Sequence, residues 1–120
     1  MILLVEDDAI TRTATAAALR MSRQEVLEAA GGHEALRLLA ENPAIKLVVM
    51  DFVLPDYDGL KLMDLIHVHH PHLPIVLVSG YLSQRAGETI VARSDKKAKY
   101  FAKPFRPSAL VRTVQELLTA

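Results

Sequence analysis

The stretch ILLVEDD, residues 2–8, sets four apolar residues directly against three acids. A short unbroken aliphatic run without alternation reads as a strand buried on both faces. The abrupt change after Val5 leaves Glu6, Asp7 and Asp8 at the end of that strand. Three adjacent carboxylates repel one another, so the arrangement calls for solvent or a cation.

Working outward, similar runs recur: MILLV at 1–5, KLVVM at 46–50, PIVLV at 74–78 and KYFA at 99–102, with a weaker QEVLEA at 24–29. Helical spacing fills the intervals. Ile10, Ala14, Ala17, Ala18 and Met21 share one face, as do Ala35, Leu36, Leu39 and Ala40, and later Leu110, Val111, Val114, Leu117 and Leu118. Leu62, Met63, Leu65 and Ile66 predict a further helix after Gly59. Residues 82–93 predict the least stable helix, with Ala86 and Ile90 as core candidates and Gly87 costing about 1 kcal/mol relative to Ala. Five βα units imply a doubly wound α/β fold: parallel strands, right-handed crossovers and helices on both faces. Ligand sites in such sheets lie outside the carboxyl ends of the strands.

The 120 residues, 51% of them hydrophobic, suit one domain spanning 1–120 with no effector domain. No Cys is present, so thiolate metal sites and disulfides are ruled out, in keeping with a cytoplasmic location. No apolar run approaches the roughly 20 residues of a membrane span, and MILLVEDD has neither a basic leader nor a cleavage site. Net charge is zero, but residues 1–60 hold ten acids against five bases and residues 81–120 three acids against eight bases. The balance argues against a dedicated nucleic-acid binder. The basic final third is a candidate docking surface, or a solvated mixed face.

At the strand ends stand Glu6 and Asp7, then Asp51, Ser79 and Lys103. Each alone is ordinarily a helix cap, a turn former or a surface charge. Their arrival on one edge of one sheet is what points to chemistry. Two carboxylates ~5 Å apart at an effective dielectric of about 20 repel by roughly 3 kcal/mol, which a hard divalent ion such as Mg²⁺ relieves. With the acids neutralised, a carboxylate can attack phosphorus while the Lys ammonium and Ser hydroxyl hold phosphoryl oxygens.

In order and spacing, ILLVEDD, VVMDFVLPDYDGLKLM, PIVLVSGY and YFAKPF resemble the receiver domain of bacterial two-component response regulators, the fold of the chemotaxis response regulator. The resemblance implies a flavodoxin-like (βα)5 sheet of order 2-1-3-4-5. It implies Asp51 as phosphoacceptor and Mg²⁺, or Mn²⁺ in its place, held by Asp7, by Glu6 through water, by Asp51 and by the Val53 carbonyl. Ser79 and Lys103 would bind the phosphoryl group. Tyr100 would be the aromatic that turns inward when Ser79 moves. Val53 and Tyr81 would tune phosphoryl lifetime, and the Lys103–Pro104 bond would be cis. Asp8 reads as a helix N-cap. The usual Gly-Ala before the last strand is replaced by Lys97 and Ala98, which changes the expected loop.

The implied partners are a sensor histidine kinase or histidine phosphotransfer protein, and a downstream effector or attached domain met through residues 82–119. Nucleic acid and membrane are not expected partners, and the chain would be a monomer or weak homodimer. It would be a phosphoacceptor rather than a turnover enzyme, or alternatively an unphosphorylated interaction module. A haloacid-dehalogenase-type hydrolase needs a second Asp two positions after Asp51, where Val53 stands. A flavodoxin-like nucleotide site would be repelled by Glu6, Asp7 and Asp8. The run HVHHPH places His67, His69, His70 and His72 near the link to the fourth strand. It reads as a solvent-facing segment, with Zn²⁺ or Ni²⁺ binding as the alternative.

Overall fold

The computed structural model describes residues 1–93 and 98–119, with Arg93 through its backbone alone. The strands are β1 (Ile2–Val5), β2 (Val26–Ala29), β3 (Leu47–Asp51), β4 (Ile75–Ser79) and β5 (Ala98–Ala102). The helices are α1 (Ala9–Met21), α2 (Gly32–Glu41), α3 (Gly59–His69), α4 (Gln84–Arg93) and α5 (Pro107–Thr119). All strand pairs are parallel, in the order β2-β1-β3-β4-β5. This is the doubly wound α/β sheet expected from the sequence. Strand order reverses at β1 and β3, which opens a crevice at their carboxyl ends.

Every residue of β1, β3 and β4 is buried, which is why these strands read as unbroken apolar runs. Successive side chains pass to opposite faces. Leu3, Val5, Val48, Met50, Ile75 and Leu77 pack with Ala35 and Leu39 of α2, Leu62, Met63 and Ile66 of α3, and Val91 of α4. On the other face Ile2, Leu4, Val49, Val76 and Val78 meet Ala16 and Leu19 of α1 and Leu110 and Val114 of α5. Burial of each such aliphatic side chain stabilises by about 1.5–3 kcal/mol. Polar caps then fix where helices begin. Asp8 accepts from Thr11 N at 2.8 Å, Asp58 from Lys61 N at 2.8 Å, and Ser83 Oγ from Ala86 N at 3.1 Å.

Four expectations are corrected. Ile10 and Met21 of α1 are 83% and 86% exposed, and the buried positions are Ala16 and Leu19. Alanines around the helix make several faces look apolar, and the rotation is settled by polar contacts with β2. Arg12 Nε lies 3.5 Å from Glu28 Oε1, and Arg20 Nη2 lies 3.1 Å from Glu28 Oε2. In α4 the buried positions are Gly87 and Val91, with Ala86 and Ile90 half-buried, because the Tyr100 ring occupies the space where a Cβ at residue 87 would stand. Likewise Ala40 of α2 is exposed, outside the buried set of Gly32, Ala35 and Leu39.

The fourth correction concerns the histidines. His67 lies within α3 on the same inward face as Met63 and is 3% exposed. Its Nε2 is 2.9 Å from the Leu73 carbonyl; since a carbonyl only accepts, Nε2 carries the proton. Among the described residues the acids Glu6, Asp7 and Asp51 form the metal-competent group, and the histidines do not converge into one. Lys97 and its expected loop lie outside the described residues.

Candidate functional site

At the carboxyl edge, Glu6 follows β1, Asp51 ends β3, Ser79 ends β4 and Lys103 follows β5. Glu6 and Asp51 are buried at 3% and 8% exposure, whereas Asp7 is open to solvent. One oxygen from each of Glu6, Asp7 and Asp51 lies within 4.8 Å of the others. Lys103 Nζ donates to Glu6 Oε1 at 2.7 Å and to Asp51 Oδ2 at 2.9 Å. One ammonium thus neutralises part of a three-acid cluster. The remaining negative charge, the oxygen-only donor set and the exposed Asp7 fit a hard divalent cation such as Mg²⁺.

The ionisation of the cluster follows from burial and neighbours. Desolvation pushes the Glu6 carboxyl above its ordinary value and the charge of Asp51 adds to this, while the Lys103 hydrogen bond opposes it. Desolvation would lower Lys103, but its hydrogen bonds to Glu6 and Asp51 outweigh that and hold the ammonium above the ordinary lysine value. The amine therefore stays charged beside the acids at neutral pH.

Backbone and second-layer contacts hold these groups in place. Val53 N donates to Asp51 Oδ1 at 3.1 Å, and Arg12 Nη1 donates to the Glu6 carbonyl at 2.8 Å. Ser79 is fully buried, with its Oγ accepting from Tyr81 N at 3.0 Å, and Lys103 N donates to the Ser79 carbonyl at 2.7 Å. The Lys103–Pro104 bond is cis. Val53 and Tyr81 stand on the rim, 44% and 81% exposed.

Tyr100 is already inside, at 4% exposure, with its hydroxyl donating to the Leu82 carbonyl at 2.7 Å and reaching the Ser79 carbonyl at 3.3 Å. Sequence reasoning missed Arg12, Asp56 and Gln84, whose bonds reach Glu28, the amides of Gly32 and His33, and the backbone of β5, all far along the chain. Only Asp56, a turn-forming residue after Pro55, carried a local signal.

Residues 2–115 match the family model described as the response regulator receiver domain. The chain belongs to that family. Its receiver sequence is 36% identical over 118 residues to the sensor kinase CckA of Brucella abortus, covering 98% of this chain and 12% of that protein. It is 31% identical over 122 residues to a chemotaxis protein CheY homologue of Campylobacter jejuni, covering 98% and 92% respectively. The crystal structure of the NtrX receiver domain from Brucella abortus superposes with a TM-score of 0.89 at 29% identity, covering 100% of this chain and 99% of that one. Receiver domains are phosphoacceptor signalling modules of two-component systems. Among the described residues, no helix of this receiver domain is long and apolar enough to cross a membrane.

Proposed function

We propose that this receiver domain accepts a phosphoryl group on Asp51 from a phosphohistidine, with Mg²⁺ at the acid cluster. The supporting observation is the Lys103 ammonium bridging Glu6 and Asp51 while Asp7 stands open beside them. Asp7, Asp51 and the Val53 carbonyl would hold the ion, with Glu6 acting through water. When bound, Mg²⁺ offsets charge on the phosphoryl oxygens in transfer. An Asp51 carboxylate oxygen attacks phosphorus, the P–O bond forms as the P–N bond breaks, and the imidazole leaves with the electron pair. Lys103 and Ser79 bind the transferred oxygens.

The phosphodonor is a histidine kinase or a histidine phosphotransfer protein. The stripe of Ile10 and Ala14 on α1, with Pro104 and Phe105, lies beside Lys103 and gives such a partner apolar surface to bury. Transfer would bias a two-state equilibrium of Ser79, Lys103 and Tyr100, read out through residues 82–119 by an effector or an attached domain. Since Tyr100 is already inward, the modification would hold it there rather than bring it in for the first time. Val53 cannot orient a water, so self-dephosphorylation would be slow. Arg85 on α4, with Arg93 and Lys97 beyond the described side chains, would contribute charge to the output surface.

Incubation with acetyl phosphate and Mg²⁺ should add one phosphoryl group, detected by mass, and Asp51→Asn should abolish it. Beryllium fluoride with Mg²⁺ should shift the amides of Ser79 and Tyr100. A wild-type chain silent in both assays would favour the unphosphorylated interaction module.

A further inference from the structure

The loop after Asp51, residues 52–58, is closed on itself. Gly59 N donates to the Phe52 carbonyl at 2.6 Å, Leu54 N to the Tyr57 carbonyl at 3.2 Å, and Val53 bridges Asp58 in antiparallel fashion. These bonds pair Phe52, Val53 and Leu54 with Gly59, Asp58 and Tyr57 across the loop and so tie Val53 to the tip at Asp56. The tip is fastened to the start of α2, 23 and 24 residues earlier in the chain. Asp56 Oδ1 accepts from Gly32 N at 2.8 Å and Asp56 Oδ2 from His33 N at 2.9 Å. The N-cap of α2, Gly31, makes no side-chain cap bond, so this helix takes its cap from the loop. Burial pushes the Asp56 carboxyl up, but the amides of His33 and Gly32 outweigh it and hold the group below the ordinary aspartate range. The Tyr57 ring lies where a Cβ at Gly32 would stand, and meets His33 edge-on at 5.1 Å between centroids.

We propose that Asp56 is a positioning residue for the metal site: its two bonds to α2 set where the Val53 carbonyl stands beside Asp51, and so set Mg²⁺ affinity without touching the ion. This rests on the reading of the acid cluster and the Val53 carbonyl as the Mg²⁺ site.

The test is a Mg²⁺ titration of the purified chain followed by the amide shifts of residues 51–53, with thermal melting recorded separately. Asp56→Ala is expected to weaken Mg²⁺ binding about tenfold, the scale of losing a group that orients a metal ligand. Asp56→Asn, which keeps one acceptor oxygen, should fall between, and carries the comparison if the alanine variant does not fold. Gly32→Ala, which displaces Tyr57 from the α2 side, should weaken binding in the same direction. If Asp56→Ala melts earlier yet binds Mg²⁺ as the wild type does, the carboxylate is a helix cap only and the proposal is overturned. A wild-type chain that binds Mg²⁺ but takes no phosphoryl group would remove the phosphoacceptor reading alone, and the affinity comparison would still decide the role of Asp56. A wild-type chain with no Mg²⁺ affinity would overturn both.

Discussion

Two tyrosines lie over glycines on opposite sides of the acid cluster, and their surroundings differ. Tyr57 covers Gly32 at the start of α2, and Tyr100 covers Gly87 within α4; in each case a Cβ would run into the ring. Beside Gly32 the fastening is ionic, the Asp56 carboxylate on two backbone amides. Beside Gly87 the bonds to β5 are neutral. Gln84 Nε2 donates to the Tyr100 carbonyl at 2.6 Å, Gln84 Oε1 accepts from Ala102 N at 2.8 Å, and the Tyr100 hydroxyl reaches Leu82. Charge-assisted bonds are roughly twice as strong as neutral ones. The loop next to Asp51 is thus fastened by an exposed, charge-assisted contact, and α4 hangs on the edge strand β5 by neutral bonds. Under the proposed function, the charge-assisted contact would lie on the metal side and the neutral one on the output side.

The largest test of the contrast is to remove the rings. Tyr100→Ala should cost about 3–5 kcal/mol, as for other buried aromatics, because the ring is almost wholly enclosed. Tyr57→Ala, at a half-buried ring, should cost about 1–2 kcal/mol. Urea unfolding of the two variants measures both, and equal losses would break the comparison. The next effect is a change of sign. Gly87→Ala in the wild type should destabilise by about 1–2 kcal/mol through overpacking against Tyr100. In a Tyr100→Ala background the same change should stabilise by about 1 kcal/mol, since Ala is the better helix former. A double-mutant cycle without that reversal would mean that the ring does not require the glycine.

These contacts also mark the limit of what the sequence discloses. The strands were legible because residues buried on both faces leave unbroken apolar runs, and once strand ends are known, Glu6, Asp51, Ser79 and Lys103 fall on one edge without further information. The rotation of α1 was not legible. Arg12 and Arg20 reach Glu28 on β2, and nothing local separates that stripe from the alanine-rich one carrying Ile10 and Met21. His67 reads as one of a cluster until its bond to Leu73 is known. Gly87 reads as a helix defect until the Tyr100 ring is placed over it. Asp56 reads as a turn residue because its partners lie on another helix. Each of these readings depends on a contact made only in the folded chain, which periodicity does not encode.

A smaller effect probes the neutral side alone. Gln84→Ala removes both bonds to β5 and should cost about 1 kcal/mol, since neutral hydrogen bonds at the surface contribute little net. Amide exchange at Ala102, whose donor loses its partner, should accelerate relative to the amides of β4. Uniform acceleration across the sheet would mean that α4 and β5 do not open as a separate unit.

The smallest expected effect is the pH dependence of the ionic side. Asp56 is held below the ordinary aspartate value in the folded chain, so its contribution is complete above about pH 4, where unfolded aspartate titrates, and is lost as pH falls through the lower folded value. Asp8 is lowered in the same direction by its hydrogen bonds to Thr11, so the acid limb has a second contributor. Glu6 has the opposite sign: raised by burial, it reduces stability as pH climbs from about 4 through its folded value. Asp56→Asn should therefore flatten part of the acid limb and leave the Asp8 share in place, as read from urea midpoints between pH 2.5 and 7. The carboxylate is exposed and screened, which keeps the difference small. The Gly87–Tyr100 coupling is steric, a backbone against a ring, so it should stay constant while the Asp56 contribution fades. A coupling at Gly87 that also declined in acid would tie both sides to one titration, and the contrast between an ionic and a neutral fastening would fail.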